Sequence, residues 1–349
     1  MRKPSAVEAR LAALNLLREA PPSSQRTKDL QGHLSDKQSL LVAKAAQIAG
    51  DLGESGLVLD LVQAFDRLMI NPTQTDKGCL AKTKIVQALN ALECAQDEVY
   101  LKGIRHIQLE PAYGGPVDTA CELRVASALG LVQMGSSEAL TELVSLMADK
   151  EVEARIGAVR ALAYSEREEA SLLLRFKVLT GDREASVISE CFAALMKLSP
   201  RKSLLFVAHF LDPEYSSLCE PAALAIGESR LSEAYELLKE KWERKPHPQF
   251  RRMLLLPIAL VRQESALEFL LSVIATNDVE TAAAAITALA IYRQDARVRE
   301  LVRTAIEGSE KAILQSVFER EFGPNGPMAR LAGFDQPVPD GRRQREKGG

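Results

Sequence analysis

Eight alanines return at the same point of a helical pattern: Ala46, Ala88, Ala128, Ala161, Ala194, Ala223, Ala259 and Ala288. Their intervals are 42, 40, 33, 33, 29, 36 and 29 residues, and leucine follows in seven cases, at Leu89, Leu129, Leu162, Leu195, Leu224, Leu260 and Leu289, with Gln47 as the exception. Self-similarity at periods of roughly 20–50 residues marks a stacked-repeat architecture, in which each unit buries its apolar face only against its neighbours. The pattern predicts an all-α fold, an α-solenoid of about eight degenerate helical hairpins.

The clearest unit runs from Asp118 to Asp149. Val125, Ala128, Leu129 and Val132 form one apolar stripe, and Leu140, Leu143, Val144 and Met147 form a second. Both have the spacing of an amphipathic helix. Gly135, Ser136 and Ser137 supply the turn, because glycine can adopt the left-handed conformation that ends one helix and serine can cap the next. The following unit repeats the design, with Val152, Arg155, Ala158, Ala161 and Leu162 before a turn near Ser165 and a second helix carrying Leu172, Leu173 and Leu174.

The stretch from Ala128 to Leu162, ALGLVQMGSSEALTELVSLMADKEVEARIGAVRAL, resembles HEAT repeats, especially the short HEAT-like repeats of phycobilisome-lyase-type proteins. The resemblance covers roughly Ser35 to Phe322. Its pattern puts a basic residue six positions before the recurring alanine. Lys82 and Arg155 match, whereas Leu40, Glu122, Ile188, Ser217, Met253 and Ala282 depart from it. Pro221 and Pro257 each precede a marker alanine by two residues, which predicts matching bends in two helices.

Three regions follow: residues 1–34 as an N-terminal capping helix, carried by Val7, Leu11, Leu14 and Leu17, and a linker; 35–322 as the solenoid; and 323–349 as an irregular, disordered tail rich in proline, glycine and charge. With 46% hydrophobic, 26% charged and only 5% aromatic residues, the core is expected to be made of closely packed Leu, Ala and Val. The net charge of -3 supplies no overall field for holding polyanions. The beginning of the sequence lacks the apolar run of a signal peptide, and the longest apolar runs, 253–261 and 282–290, are too short to span a bilayer. Five dispersed cysteines without a CxxC pair fit reduced thiols, so a cytoplasmic protein without membrane association is expected.

The two longest intervals are consecutive, and their surplus falls in the same kind of connection, residues 70–76 and 108–118. Equivalent connections of a solenoid project from one edge, so these loops should be neighbours. Arg105, His106, Glu110, Tyr113 and Asp118, with Asp76 and Lys82, form the candidate partner- or ligand-binding set, able to donate, accept and titrate near neutral pH. Asp76 and Asp118 are also placed to cap the helices that follow, which makes bridging and covering of repeats the competing reading.

A basic patch, Lys239, Lys241, Trp242, Arg244, Lys245, Arg251 and Arg252, interleaves cations with aromatics as a phosphate- and base-binding surface does. The dispersed histidines His33, His106, His209 and His247 form no metal spacing, no phosphate-binding glycine loop is present, and no catalytic residue or cofactor is expected. The reading that follows is a non-catalytic protein-binding scaffold or adaptor that holds another protein or peptide on its concave face, lined by the second helices, and by the two loops. The resemblance implies the alternatives: a nucleic-acid-binding or DNA-alkylation-repair protein of HEAT-like build, or an accessory bilin-lyase-type protein.

Overall fold

A computed structural model of the chain describes residues 6–212, 216–244, 247–307 and 312–323. It separates into two compact units, 1–199 and 200–349. The first unit comprises α1 (Ala6–Glu19), α2 (Ser24–Leu34), α3 (Ser39–Asp51), α4 (Val58–Leu68), the single turn α5 (Pro72–Thr75), α6 (Leu80–Ala91), α7 (Asp97–Ile104), α8 (Cys121–Gln133), α9 (Ala139–Leu146), α10 (Val152–Tyr164), α11 (Glu168–Thr180) and α12 (Ala185–Leu198). Between α7 and α8 lies a small antiparallel hairpin of β1 (Leu109–Glu110) and β2 (Val117–Asp118), in which Leu109 pairs with Asp118 and Glu110 with Val117. The helices α3, α6, α8, α10 and α12 pack successively on one another, and α4, α7, α9 and α11 return beside them.

The second unit comprises α13 (Pro200–His209), α14 (Ser216–Glu228), α15 (Ser232–Arg244), α16 (Pro248–Leu260), α17 (Glu264–Thr276), α18 (Val279–Leu289), α19 (Ala296–Glu307) and α20 (Ala312–Phe322). Here α14, α16, α18 and α20 stack, with α15, α17 and α19 as the returning helices. Pro221 and Pro257 lie inside α14 and α16. Gly227 lets these two helices meet, because a β-carbon there would come within 2.3 Å of the Pro257 carbonyl oxygen. Each unit is an all-α stack of successive helical hairpins, and no described helix is long and apolar enough to cross a membrane.

All eight marker alanines are buried, none more than 4% exposed. Their small side chains allow the close helix approach that the repeating pattern predicts. The hairpin turns carry a second marker that the alanines conceal: a residue in the left-handed region two positions after the helix end. It is Gly53 after α3, Glu93 after α6, Gly135 after α8, Glu166 after α10, Arg230 after α14 and Arg262 after α16. At the first three, the next amide reaches back into the last helical turn, with Glu54 N donating to Ala49 O, Cys94 N to Leu89 O and Ser136 N to Leu131 O, each at 3.0 Å. This closes the orphan carbonyls of the helix end.

Residues 24–34 form a helix where a linker was expected. Its sequence, SQRTKDLQGHL, is polar apart from Leu30 and Leu34, so it lacks a continuous apolar stripe. A serine cap and a buried cation hold it instead. The Ser23 hydroxyl accepts from Arg26 N at 3.1 Å, and Arg26 donates from Nε to Glu54 at 2.9 Å and from Nη1 to the Ala20 carbonyl at 2.7 Å. The expected irregular tail lies outside the described residues apart from Gly323.

Candidate interaction site

The two long connections meet. Gln108, almost completely buried, donates from Nε2 to the Asp76 carbonyl at 2.8 Å and to Glu110 Oε1 at 2.6 Å. Glu110 Oε1 also accepts from Gly78 N at 2.6 Å and from the Thr119 hydroxyl at 3.1 Å. Burial opposes ionisation of Glu110, yet these donors hold its carboxyl below the usual carboxylate value. Glu110 therefore fastens the β-hairpin to the turn that precedes α6 instead of facing a ligand.

Asp76 is fully buried and caps α6, accepting from Ala81 N and Lys82 N at 2.9 Å each. The ammonium of Lys82, equally buried, lies 3.1 Å from Asp76 Oδ2. In the next repeat Asp118 is the equivalent cap. Its Oδ1 accepts from Ala120 N at 3.0 Å and Gln108 N at 3.1 Å, and its Oδ2 pairs with Arg124 Nη1 at 2.7 Å. Burial opposes ionisation of Asp118, but those two amides and the Arg124 guanidinium lower its pKa.

These pairs belong to a ladder. Arg124 also reaches forward, with Nε 2.9 Å from Asp149 Oδ2. Arg155 binds Asp182 through two parallel bonds, Nε to Oδ2 at 2.9 Å and Nη2 to Oδ1 at 2.8 Å, while Lys177 adds a third contact at 2.8 Å. Burial opposes ionisation of Asp182, yet Arg155, Lys177 and the Glu184 amide hold its carboxyl far below the ordinary range. The ladder corrects the sequence register. Asp76 to Lys82, Asp118 to Arg124 and Asp149 to Arg155 are each six residues apart, so the third unit carries its basic residue at Arg124 and not at Glu122. The residue equivalent to Ala88 and Ala161 is then Gly130, which makes the interval after Ala88 42 residues, equal to the one before it.

His106 is held in the same cluster, with Nε2 3.2 Å from Gln108 Oε1 and its carbonyl accepting from Arg124 at 3.0 Å. Its pKa is lowered by burial and by the cations Lys82 and Arg124, against the raising effects of Gln108 and Asp118. Arg105 pairs through Nη2 and Nε with Glu142. Tyr113 is unlike the rest: it stands fully exposed at the hairpin tip, beside Gly114 and Gly115, both at positive φ. The hairpin thus turns its polar residues inward and presents Ile107, Leu109, Tyr113 and Val117 to solvent.

The basic patch of the second unit is arranged around a buried aromatic. Trp242 is buried, edge-to-face with Phe269 at 5.1 Å and under the Arg251 guanidinium at 4.7 Å. Arg251 Nε donates to the Trp242 carbonyl at 3.0 Å, Arg252 pairs with Glu280, and Arg244 lies 2.6 Å from Glu240. Lys239 sits over the Tyr235 and Phe269 rings at 5.7 and 5.9 Å. Lys241 shares the helix, and Lys245 lies outside the described residues. The aromatic that was to stack on a base is thus a core residue, and Lys239, Arg244, Arg251 and Arg252 are engaged by carboxylates, carbonyls and rings.

Polar side chains on the returning helices are likewise engaged internally. Asp60 accepts from Gln31 at 2.8 Å, Arg67 donates to the Leu34 and Asp36 carbonyls, and Lys177 donates to the Met147 carbonyl at 3.1 Å. The prominent concavity of the first unit lies on the other set of helices, α6, α8, α10 and α12. It has a volume of about 550 Å³, a floor that includes Val125, Ala126, Leu129 and Ala161, and a rim that carries Glu122, Glu153, Arg160 and Lys197. A second cavity of about 510 Å³ adjoins it and shares Asn90 and Tyr164. Cys121 borders the first cavity, and burial pushes its thiol up to about 11. Cys79, fully buried, is pushed up to about 12, so neither is a thiolate nucleophile near neutral pH. Among the described residues, no group of three His, Cys, Asp or Glu side chains is placed to hold a metal ion. Sequence periodicity did not isolate this groove, because its floor consists of ordinary small and branched residues on helix faces. A signal for the ladder was available in the three equal Asp-to-cation intervals.

No protein-family model matches the chain, and no curated protein sequence matches it. Among solved structures it is similar to the complex of CpcE and CpcF of phycocyanin lyase from Nostoc sp. PCC7120, at 17% identity and a TM-score of 0.34, with 68% of this chain and 94% of that chain covered. It is also similar to human deoxyhypusine hydroxylase in complex with glycerol, at 15% identity and a TM-score of 0.28, with 83% and 92% covered.

Proposed function

We propose that the protein is a non-catalytic, cytoplasmic adaptor that holds another protein or peptide in the groove across α6, α8, α10 and α12. The groove itself carries this reading: an apolar floor of Val125, Ala126, Leu129 and Ala161 lies between acidic and basic rim residues. An apolar floor supplies affinity by removing side chains of a partner from water, and rim charges of both signs select its register. A rim of mixed sign suits a polypeptide better than a polyanion. Tyr113, fully exposed at the tip of the hairpin, offers a second point of contact for the same partner.

The test is capture of stoichiometric partners by affinity-tagged chain, read by mass spectrometry, with two variants in parallel. Leu129→Arg places a charge on the groove floor and is expected to abolish capture of the partner while helicity is kept. The triple replacement of Arg105, His106 and Tyr113 by Ala is expected to weaken capture less. Capture that survives Leu129→Arg but is lost in the triple variant would move the site to the hairpin, and no reproducible partner with the parent chain would end the reading.

A further inference from the structure

The polar ladder beside the groove is balanced in charge. Asp118, Asp149 and Asp182 are joined in ion pairs to Arg124, Arg155 and Lys177. Two further carboxylates lie outside it. Glu122 on α8 and Glu153 on α10 border the groove, both exposed and neither in an ion pair among the described residues. They hold one position of the repeat, four residues after the ladder aspartates Asp118 and Asp149, where the repeats on either side carry Leu80 after Asp76 and Ser186 after Asp182. The acids are thus confined to the two helices that supply the groove floor. Each lies in the first turn of its helix, where the dipole favours a negative charge. That explains either one alone, but it leaves the pair on one rim of a cavity without a counter-charge. Burial raises the pKa of the neighbouring Cys121 thiol, and against Arg124 the carboxylates Asp149, Glu153 and Glu151 raise it further, so the field at this end is negative.

The opposite end of the groove has the other sign. Arg160 is met by Glu190 at 2.9 Å, and exposed Lys197 has no ion-pair partner among the described residues. Between the ends lies the apolar floor, with Leu129 seven residues beyond Glu122 and Ala161 eight beyond Glu153. At roughly 1.5 Å per residue of helix the separation is about 10–12 Å. An extended chain covers that distance in about three residues.

We propose, on the premise that the groove is the binding site, that it selects a peptide segment with an arginine or lysine about three residues from a large apolar side chain. The cation lies between Glu122 and Glu153, and the apolar side chain rests on Leu129 and Ala161. Axes of packed helices are about 8–10 Å apart, so a guanidinium or ammonium on a long stem reaches the carboxylates of both. Lys197 turns away a second cation at the far end and fixes the direction in which the segment lies.

Selection of a displayed library of random linear peptides on the full chain tests this, with the affinity of enriched peptides measured by fluorescence anisotropy. Enriched sequences are expected to carry Lys or Arg about three residues from Leu, Ile, Met or Phe. The double variant Glu122→Gln, Glu153→Gln is expected to bind them about tenfold more weakly, roughly threefold from each exposed charge, with an unchanged circular dichroism spectrum. Glu122→Lys with Glu153→Lys should instead enrich Asp or Glu in place of the cation. Peptides that are lost in Leu129→Arg but bind the double Gln variant as well as the parent would overturn the cation preference and leave the groove as the site. An enriched set without the cation would do the same. A library that yields no peptide dependent on Leu129 would remove the groove as the site, and the preference with it.

Discussion

The Lys82 ammonium lies 3.1 Å from the Asp76 carboxylate, and neither side chain is exposed to water. Asp76 has two backbone amides in addition to Lys82, whereas Asp76 is the single ion-pair partner shown for Lys82. Removing the acid should therefore hurt more than removing the base. Asp76→Ala strands a buried cation and two helix amides and is expected to cost about 3–5 kcal/mol, Lys82→Met is expected to cost less, and the double variant less than the sum. Urea unfolding followed by far-UV circular dichroism measures all three. Equal costs for the two single variants would contradict this reading of the pair.

The hairpin separates two kinds of residue. Glu110→Ala removes the acceptor of the Gly78 amide and one acceptor each of the Gln108 side-chain amide and the Thr119 hydroxyl, which keep the Asp76 and Gln108 carbonyls, and it should cost about 2–3 kcal/mol. Tyr113→Ala at the exposed tip should change stability by less than about 0.5 kcal/mol. A comparable loss from both would mean that the tip is packed.

Acid should weaken the first unit in two stages. His106 in the folded chain has a pKa below 6.5, chiefly through burial, so the unfolded chain takes up the proton more readily. Stability that is full above pH 6.5 is therefore lost as pH falls below it. Burial and the neighbouring Arg10 also lower His33, which adds to the same stage. Glu110, Asp118 and Asp182 have folded values below those of free carboxylates, so they stabilise above roughly pH 4 and lose that contribution as pH drops further. Urea midpoints taken from pH 7.5 to 3.5 should show both stages, and His106→Gln should flatten the first.

Four hairpin turns place Glu93, Glu166, Arg230 and Arg262 in the left-handed region that a β-carbon disfavours. Glycine in these turns should relieve the strain, offset to some extent by the greater freedom it gives the unfolded chain. Glu93→Gly and Glu166→Gly are each expected to stabilise by up to about 1 kcal/mol, read as a rise in thermal midpoint. A drop would show that the side chains hold the turns.

Gly227→Ala should be the opposite case. Its β-carbon would come within 2.3 Å of the Pro257 carbonyl oxygen, a backbone atom unable to rotate away, so α14 and α16 must separate. A cost of about 1–3 kcal/mol is expected from the overpacking alone, and differential scanning calorimetry would register it.

The repeating alanines made the solenoid legible because a stacked fold repeats its tightest contacts in the sequence. The register failed at one place for a physical reason: Ala128 and Leu129 mimic the marker pair two residues before Gly130, while the ladder cation sits at Arg124. The meeting of the two long connections was legible from their equal surplus. The direction of their side chains was not, since Glu110 and Asp118 read equally well as ligand-facing acids until Gln108, Gly78 and Arg124 are seen to consume them. Helix α2 was hidden by its polarity, and the β-hairpin by strands of two residues, too short for any alternation to emerge.

The chain has a single tryptophan, and its burial beneath Arg251 and against Phe269 makes intrinsic fluorescence a one-sided witness. Emission will follow the packing of α15, α16 and α17 and will be dark to the Asp76–Lys82 pair, the hairpin and α11, all in the other unit. A titration that leaves the tryptophan signal flat therefore says nothing about binding in the groove. A tryptophan placed at Tyr113, where solvent already surrounds the ring, would supply the missing second voice.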